Sequence, residues 1–268
     1  MSRNLYLVPH DFTPVGDAAL QYAIHLGKRV NTEIQLIHIV TEQAKIAIAK
    51  QKLQKIIDSI PETNTIKISF LVQVGSIFED INKIALKEHA QLVIMGTHGI
   101  SGMQKLFGSH AMKVVTSSNV PFLVVQKETK LENVERIIVP IDMSKESLQI
   151  TNLAGDLAAI FKAELHVITE RQTDEILGRK MANRISLVKN QYDDRNLTST
   201  ITFVEGGGSY QNKVIQYTKK VNGNFIALAY HSESLLPQFD KFAQSLITNE
   251  LKLPCLIINS KNASNLYF

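Results

Sequence analysis

The sequence predicts an α/β fold: two tandem doubly wound domains, each a five-stranded, mostly parallel sheet with helices on both faces. Three observations carry that expectation. The chain repeats itself in order, short β-branched runs alternate with amphipathic helical stretches, and 268 residues leave room for two domains of the commonest size, ~100–150 residues each.

The repeat begins with Leu5-Tyr6-Leu7-Val8-Pro9-His10-Asp11, which returns as Arg136-Ile137-Ile138-Val139-Pro140-Ile141-Asp142. Ile34-Gln35-Leu36-Ile37-His38-Ile39 is followed in the second half by Glu164-Leu165-His166-Val167-Ile168, and Val74-Gly75-Ser76 by Gly207-Gly208-Ser209. Pro121-Phe122-Leu123-Val124-Val125 closes the first half as Pro254-Cys255-Leu256-Ile257-Ile258 closes the second. A tandem duplication explains the shared order and the nearly constant spacing.

In the first half the apolar runs at 5–9, 34–40, 68–74, 91–95 and 121–125 do not alternate with polar residues. Strands buried on both faces have that pattern. Between them, residues 15–30 place Ala18, Ala19, Tyr22, Ala23 and Leu26 on one stripe, with Asp17, Gln21 and Lys28 elsewhere, as an amphipathic helix does. Residues 42–59 and 76–89 behave alike, with Ser76 placed to cap the latter. The second half gives strands near 136–141, 164–169, 199–205, 224–229 and 254–258. Short strand–helix–strand connections imply right-handed crossovers. The polar run Gln126 to Lys130 reads as the linker, giving domains at 1–127 and 134–260.

Composition narrows the function classes. Hydrophobic residues make up 44% and charged residues 20%, which excludes disordered and collagen-like chains. A net charge of +4 is too small for a nucleic-acid footprint. The lone cysteine, Cys255, rules out an intramolecular disulfide or a cysteine-rich zinc cage, and its strand setting makes it an inert core thiol. No 18-residue apolar stretch and no signal-like N-terminus are present. The expectation is a cytoplasmic protein without a membrane or nucleic-acid partner.

One segment is rich in special residues: Gly96-Thr97-His98-Gly99-Ile100-Ser101-Gly102, running on to Phe107-Gly108-Ser109-His110. It follows a predicted strand and precedes a helix-periodic stretch. Ligands of open α/β sheets sit beyond the carboxyl ends of the strands. Glycines there admit a close backbone approach, and a helix start offers free N–H groups to phosphate. The segment is neither a P-loop nor G-x-G-x-x-G.

These motifs together resemble the universal stress protein family in its tandem form, across residues 3–126 and, more faintly, 135–259. The resemblance rests on Val8-Pro9-His10-Asp11-Phe12, Leu36-Ile37-His38-Ile39, Gly96-Thr97-His98-Gly99, Gly108-Ser109 and Pro121–Val125. Eight residues separate Gly99 from Gly108, one fewer than in the family pattern. The resemblance implies a Rossmann-like fold with the halves packed as an intramolecular pseudo-dimer, a higher oligomer being open. It also implies an adenine-nucleotide site, for ATP or a related nucleotide, in the first half. There Asp11 accepts hydrogen bonds from the base or ribose, while Pro9 and Ile39 line the base pocket. Gly96 and Gly99, with Thr97 and His98 between them, make room for ribose and phosphates. Gly108, Ser109 and the amide of His110 hold phosphate.

In the second half the same positions read Ala229, Ser232, Lys241 and Phe242, so the glycines are gone and Asp142 alone survives as a helix cap. Binding is therefore expected in the first domain only. His10, His98 and His110 have no metal-type spacing, His38 and His166 read as satisfied core histidines, and Gly206-Gly207-Gly208 reads as a turn. No nucleophile elbow, zinc-protease motif or Ser-x-x-Lys set is present. The resulting expectation is a stress-response regulatory protein, not an enzyme, that binds adenine nucleotide without rapid turnover and presents a surface to protein partners yet to be identified. The alternatives are an interaction scaffold of the same fold that has lost the nucleotide, or a slow ATP hydrolase.

Overall fold

The computed structural model of the chain describes residues 4–97, 115, 118–230 and 241–259. It divides into two compact units, Met1–Leu131 and Glu132–Phe268. The first unit runs β1 (Leu5–Pro9), α1 (Pro14–Gly27), β2 (Glu33–Val40), α2 (Ile46–Asp58), β3 (Lys67–Val74), α3 (Ile77–Lys87), β4 (Leu92–Thr97) and β5 (Phe122–Gln126). Its strands lie in the order β3-β2-β1-β4-β5, and the registered pairs are parallel. The second unit repeats the plan with β6 (Arg136–Pro140), α4 (Ile150–Phe161), β7 (Glu164–Glu170), α5 (Glu175–Asp194), β8 (Ser199–Val204), α6 (Tyr210–Lys220), β9 (Phe225–Tyr230), α7 (Lys241–Ile247) and β10 (Cys255–Asn259). Its order is β8-β7-β6-β9-β10, again parallel.

The strands that lack alternation are the buried ones. Every residue of β5, β9 and β10 is buried, as a parallel sheet covered on both faces requires. Helix α1 buries Val15, Ala19, Tyr22, Ala23 and Leu26 and leaves Asp17, Gln21 and Lys28 outside. Among the described residues, no helix is long and apolar enough to cross a membrane.

Two local expectations are corrected. Gln126 belongs to β5 and is 1% exposed, so the polar linker starts after it. Ser76 makes no side-chain cap on α3. Instead Asp80 reaches back and accepts from the Ser76 amide at 2.8 Å, a bond that holds its carboxyl below the ordinary carboxylate range.

In each unit the chain fills one side of the first strand, then jumps across it to fill the other. In the first unit that switch lies between β1 and β4, and the crevice it opens at their carboxyl ends is where a ligand is expected.

Candidate functional site in the first domain

A cleft partly open to solvent occupies that crevice. Pro9, His10 and Asp11 enter from the end of β1, Ile37, His38 and Ile39 from β2, and Met95 and Gly96 from β4. Val15 and Gly16 of α1 and Ile77 and Ile81 of α3 complete it. The walls are chiefly aliphatic, with polar groups from His10, His38 and Asp11.

The turn from β1 into α1 sets the polar groups. Thr13 caps the helix, its hydroxyl accepting from the Gly16 amide at 3.5 Å, and Pro14 takes the first helical position. Asp11 does not cap the helix itself. Its Oδ1 accepts from the Thr13 amide at 3.1 Å and from the Thr13 hydroxyl at 2.5 Å, so it braces the residue that does. Both bonds use Oδ1, and no bond from the described residues reaches Oδ2 of this exposed side chain. Making the turn so tight puts Phe12 at φ 64°, a strained conformation for a bulky residue. Its ring packs 4.3 Å from that of His38, with the Lys52 ammonium 5.2 Å from its centroid.

His10 is buried. Its Nδ1 accepts from the Phe12 amide at 3.1 Å and its Nε2 lies 3.1 Å from Asp17 Oδ1, which places the single proton on Nε2. Burial lowers its pKa from the ordinary 6.5, against the opposing pull of Asp17, and keeps the ring neutral. His38 is not the core histidine that the sequence suggests. It is half-buried, lines the cleft and donates from Nδ1 to the His10 carbonyl at 2.7 Å. His166 is buried at 6% exposure and bonds Tyr217.

Of the residues expected to hold nucleotide, Pro9, Asp11, Ile39 and Gly96 meet in this one cleft. Thr97 is buried in β4 at 1% exposure and is not part of the lining. His98, Gly99, Gly108, Ser109 and His110 lie outside the described residues. Gly96 has a reason unrelated to ligand space. A Cβ there would sit 2.3 Å from the Val15 carbonyl oxygen, so β4 and the first turn of α1 meet only because position 96 has no side chain. Composition and spacing did not reveal Ile77, Ile81 or His38. Their signal is positional: Ile77 and Ile81 are the first and fifth residues of α3, His38 lies near the carboxyl end of β2, and all three line the cleft.

The corresponding crevice of the second domain is built differently. Asp142 repeats the turn, accepting from the Ser144 amide at 2.8 Å and from its hydroxyl, while Ser144 accepts from the Ser147 amide. Arg184 of α5 then ties this loop down through the carbonyls of Asp142 and Ser144. Glu170, in the register position of Ile39, forms an ion pair with the buried Lys213. Tyr210, which starts α6 as Ile77 starts α3, puts its hydroxyl 2.7 Å from the Ile168 carbonyl and 3.1 Å from the Ile141 carbonyl. Phe242 stacks on the Tyr210 ring at 5.1 Å with the planes 4° apart.

The first domain matches the sequence model of the universal stress protein family over residues 6–126. Two curated universal stress proteins of Methanocaldococcus jannaschii are similar to the chain. One is 27% identical over 146 residues, 47% of this chain and 86% of its own length. The other is 35% identical over 81 residues, 30% of this chain and 49% of its own length. Among solved structures, a universal stress protein from Archaeoglobus fulgidus superposes with a TM-score of 0.79 at 18% identity, over 97% of this chain and all of that one. A functionally unknown protein from Pseudomonas aeruginosa gives 0.65 at 15% identity, covering 98% of both chains.

Proposed function

Because the chain belongs to the universal stress protein family, we propose that it is a stress-response regulatory protein whose first domain binds one adenine nucleotide, ATP or a relative, without rapid turnover. The observation that carries this reading is the cleft itself: aliphatic walls at the switch point, with the Asp11 carboxylate at the rim. A purine fits between Pro9, Ile39 and the α3 residues Ile77 and Ile81. Oδ2 of Asp11 is then available to the ribose hydroxyls or the base edge. Phosphates run past Gly96 toward the segment that follows β4. On this reading binding changes the stability and surface of the first domain rather than consuming the ligand.

Two measurements test the reading. Mass spectrometry of small molecules released from protein purified without added nucleotide should find an adenine nucleotide. Calorimetry should give one site per chain, and Asp11→Ala should weaken it by about 1.5–3 kcal/mol, the value of a hydrogen bond to a charged group, or about 10- to 150-fold in Kd. Two equivalent sites, or an Asp11→Ala variant that binds as the parent does, would overturn the assignment.

A further inference from the structure

We propose that the switch-point crevice of the second domain is a latent binding site for a flat aromatic ring carrying a hydrogen-bond donor, and that the chain's own Tyr210 fills it. The proposal concerns a different crevice from the nucleotide cleft and does not depend on what that cleft binds.

The side chain sits as a ligand would. Its ring is half-buried, its hydroxyl is the deep end, and it meets two strand-end carbonyls, those of Ile141 after β6 and Ile168 in β7. One hydrogen can satisfy only one acceptor at a time, and the nearer, Ile168, takes it. Burial raises the pKa of this phenol well above its ordinary value, so it remains a donor. Phe242 covers the outer face of the ring in a nearly parallel stack.

A residue of β7 and the turn before α6 add to this. Thr169, in the register position that His38 holds in the first domain, is fully buried. Its hydroxyl has no hydrogen-bond partner among the described residues, although buried polar groups normally have one. The turn that delivers Tyr210 is Gly206-Gly207-Gly208, with φ of 92° at Gly206 and 94° at Gly208 and open space where each Cβ would be. A side chain at position 206 or 208 would be strained. The turn leads from β8 to the start of α6, where Tyr210 stands.

Phenol is the probe, because it is the part of tyrosine that fills the crevice. In the full-length Tyr210→Ala variant, phenol should raise the thermal unfolding midpoint by several degrees at concentrations that leave the parent protein unchanged. Toluene, which keeps the ring and lacks the donor, should bind at least tenfold more weakly. If Tyr210→Ala does not fold, Tyr210→Ile replaces it, because it installs the residue that the first domain carries at the start of α3. A folded variant that phenol does not stabilise overturns the proposal. Equal stabilisation of parent and variant, or equal binding of phenol and toluene, does so as well.

Discussion

Gly96→Val is expected to destabilise the first domain by about 3–5 kcal/mol, near the top of the range for single substitutions. The new Cβ would lie 2.3 Å from the Val15 carbonyl oxygen, 2.4 Å from Val15 Cγ1 and 2.8 Å from the Val15 carbonyl carbon. Two of these atoms are backbone, so no rotamer change relieves the overlap. Either α1 must lift from β4 or the strand must bend, and both sacrifice packing around Ala19, Leu20 and Ala23, each 2% exposed or less. Denaturant unfolding followed by circular dichroism reads the loss directly. Ala229 shows how the second domain avoids the problem. It carries a Cβ because the chain there enters its helix through a 3₁₀ turn, Glu146–Gln149, that packs on β9. Ala229→Gly should therefore cost less than ~1 kcal/mol, the ordinary penalty of glycine in regular structure. A Gly96→Val protein within 1 kcal/mol of the parent would refute the close-approach argument.

Ile77→Tyr should reduce nucleotide affinity more than 100-fold while leaving the fold intact. The substitution transplants into the first domain the residue that closes the second. From the first position of α3 a tyrosine ring would occupy the space between Ile39 and Ile81, and its hydroxyl would approach the carbonyl ends of β1 and β2. The base must then displace a covalently attached competitor, whose effective concentration is far above that of a dissolved ligand. Ile77→Val, which keeps the wall aliphatic, should stay within a few-fold of the parent. Undiminished binding by a folded Ile77→Tyr protein would mean that the ligand lies elsewhere.

The fold was legible because strand burial leaves a direct trace. Runs such as Phe122–Val125 and Ile137–Val139 are apolar without alternation, and only a strand covered on both faces needs that. The Val-Pro-x-Asp ends of β1 and β6 also marked where the chain turns into a helix, and hence where a site would lie. Asp11, Pro9, Ile39 and Gly96 could be placed together because the family resemblance implies one site for them, and each stands at or near a strand end. What the sequence hid were effects that depend on which side chain reaches across. Gly96 looked like ligand space alone, yet besides lining the cleft it is packing space against Val15. In the second domain the lost glycines were visible in the sequence, but Tyr210, whose hydroxyl meets the Ile141 and Ile168 carbonyls, stands at a helix start with no motif to announce it. Ser76 looked like a cap, yet Asp80, one turn later, takes that task from the opposite direction.

Cys255 carries a practical consequence. It is the only cysteine in the chain, it is fully buried on β10, and burial pushes its thiol far above the usual range. Only the thiolate attacks disulfide or maleimide reagents. In the native protein the sulfur is therefore silent until β10 leaves its place beside β9. Covalent trapping then becomes a clock for rare openings of the second domain, and its rate reads how often that strand detaches. Labelling in native buffer should run orders of magnitude slower than in denaturant. Labelling that finishes as fast in both would mean that the last strand of this domain exchanges freely with solvent.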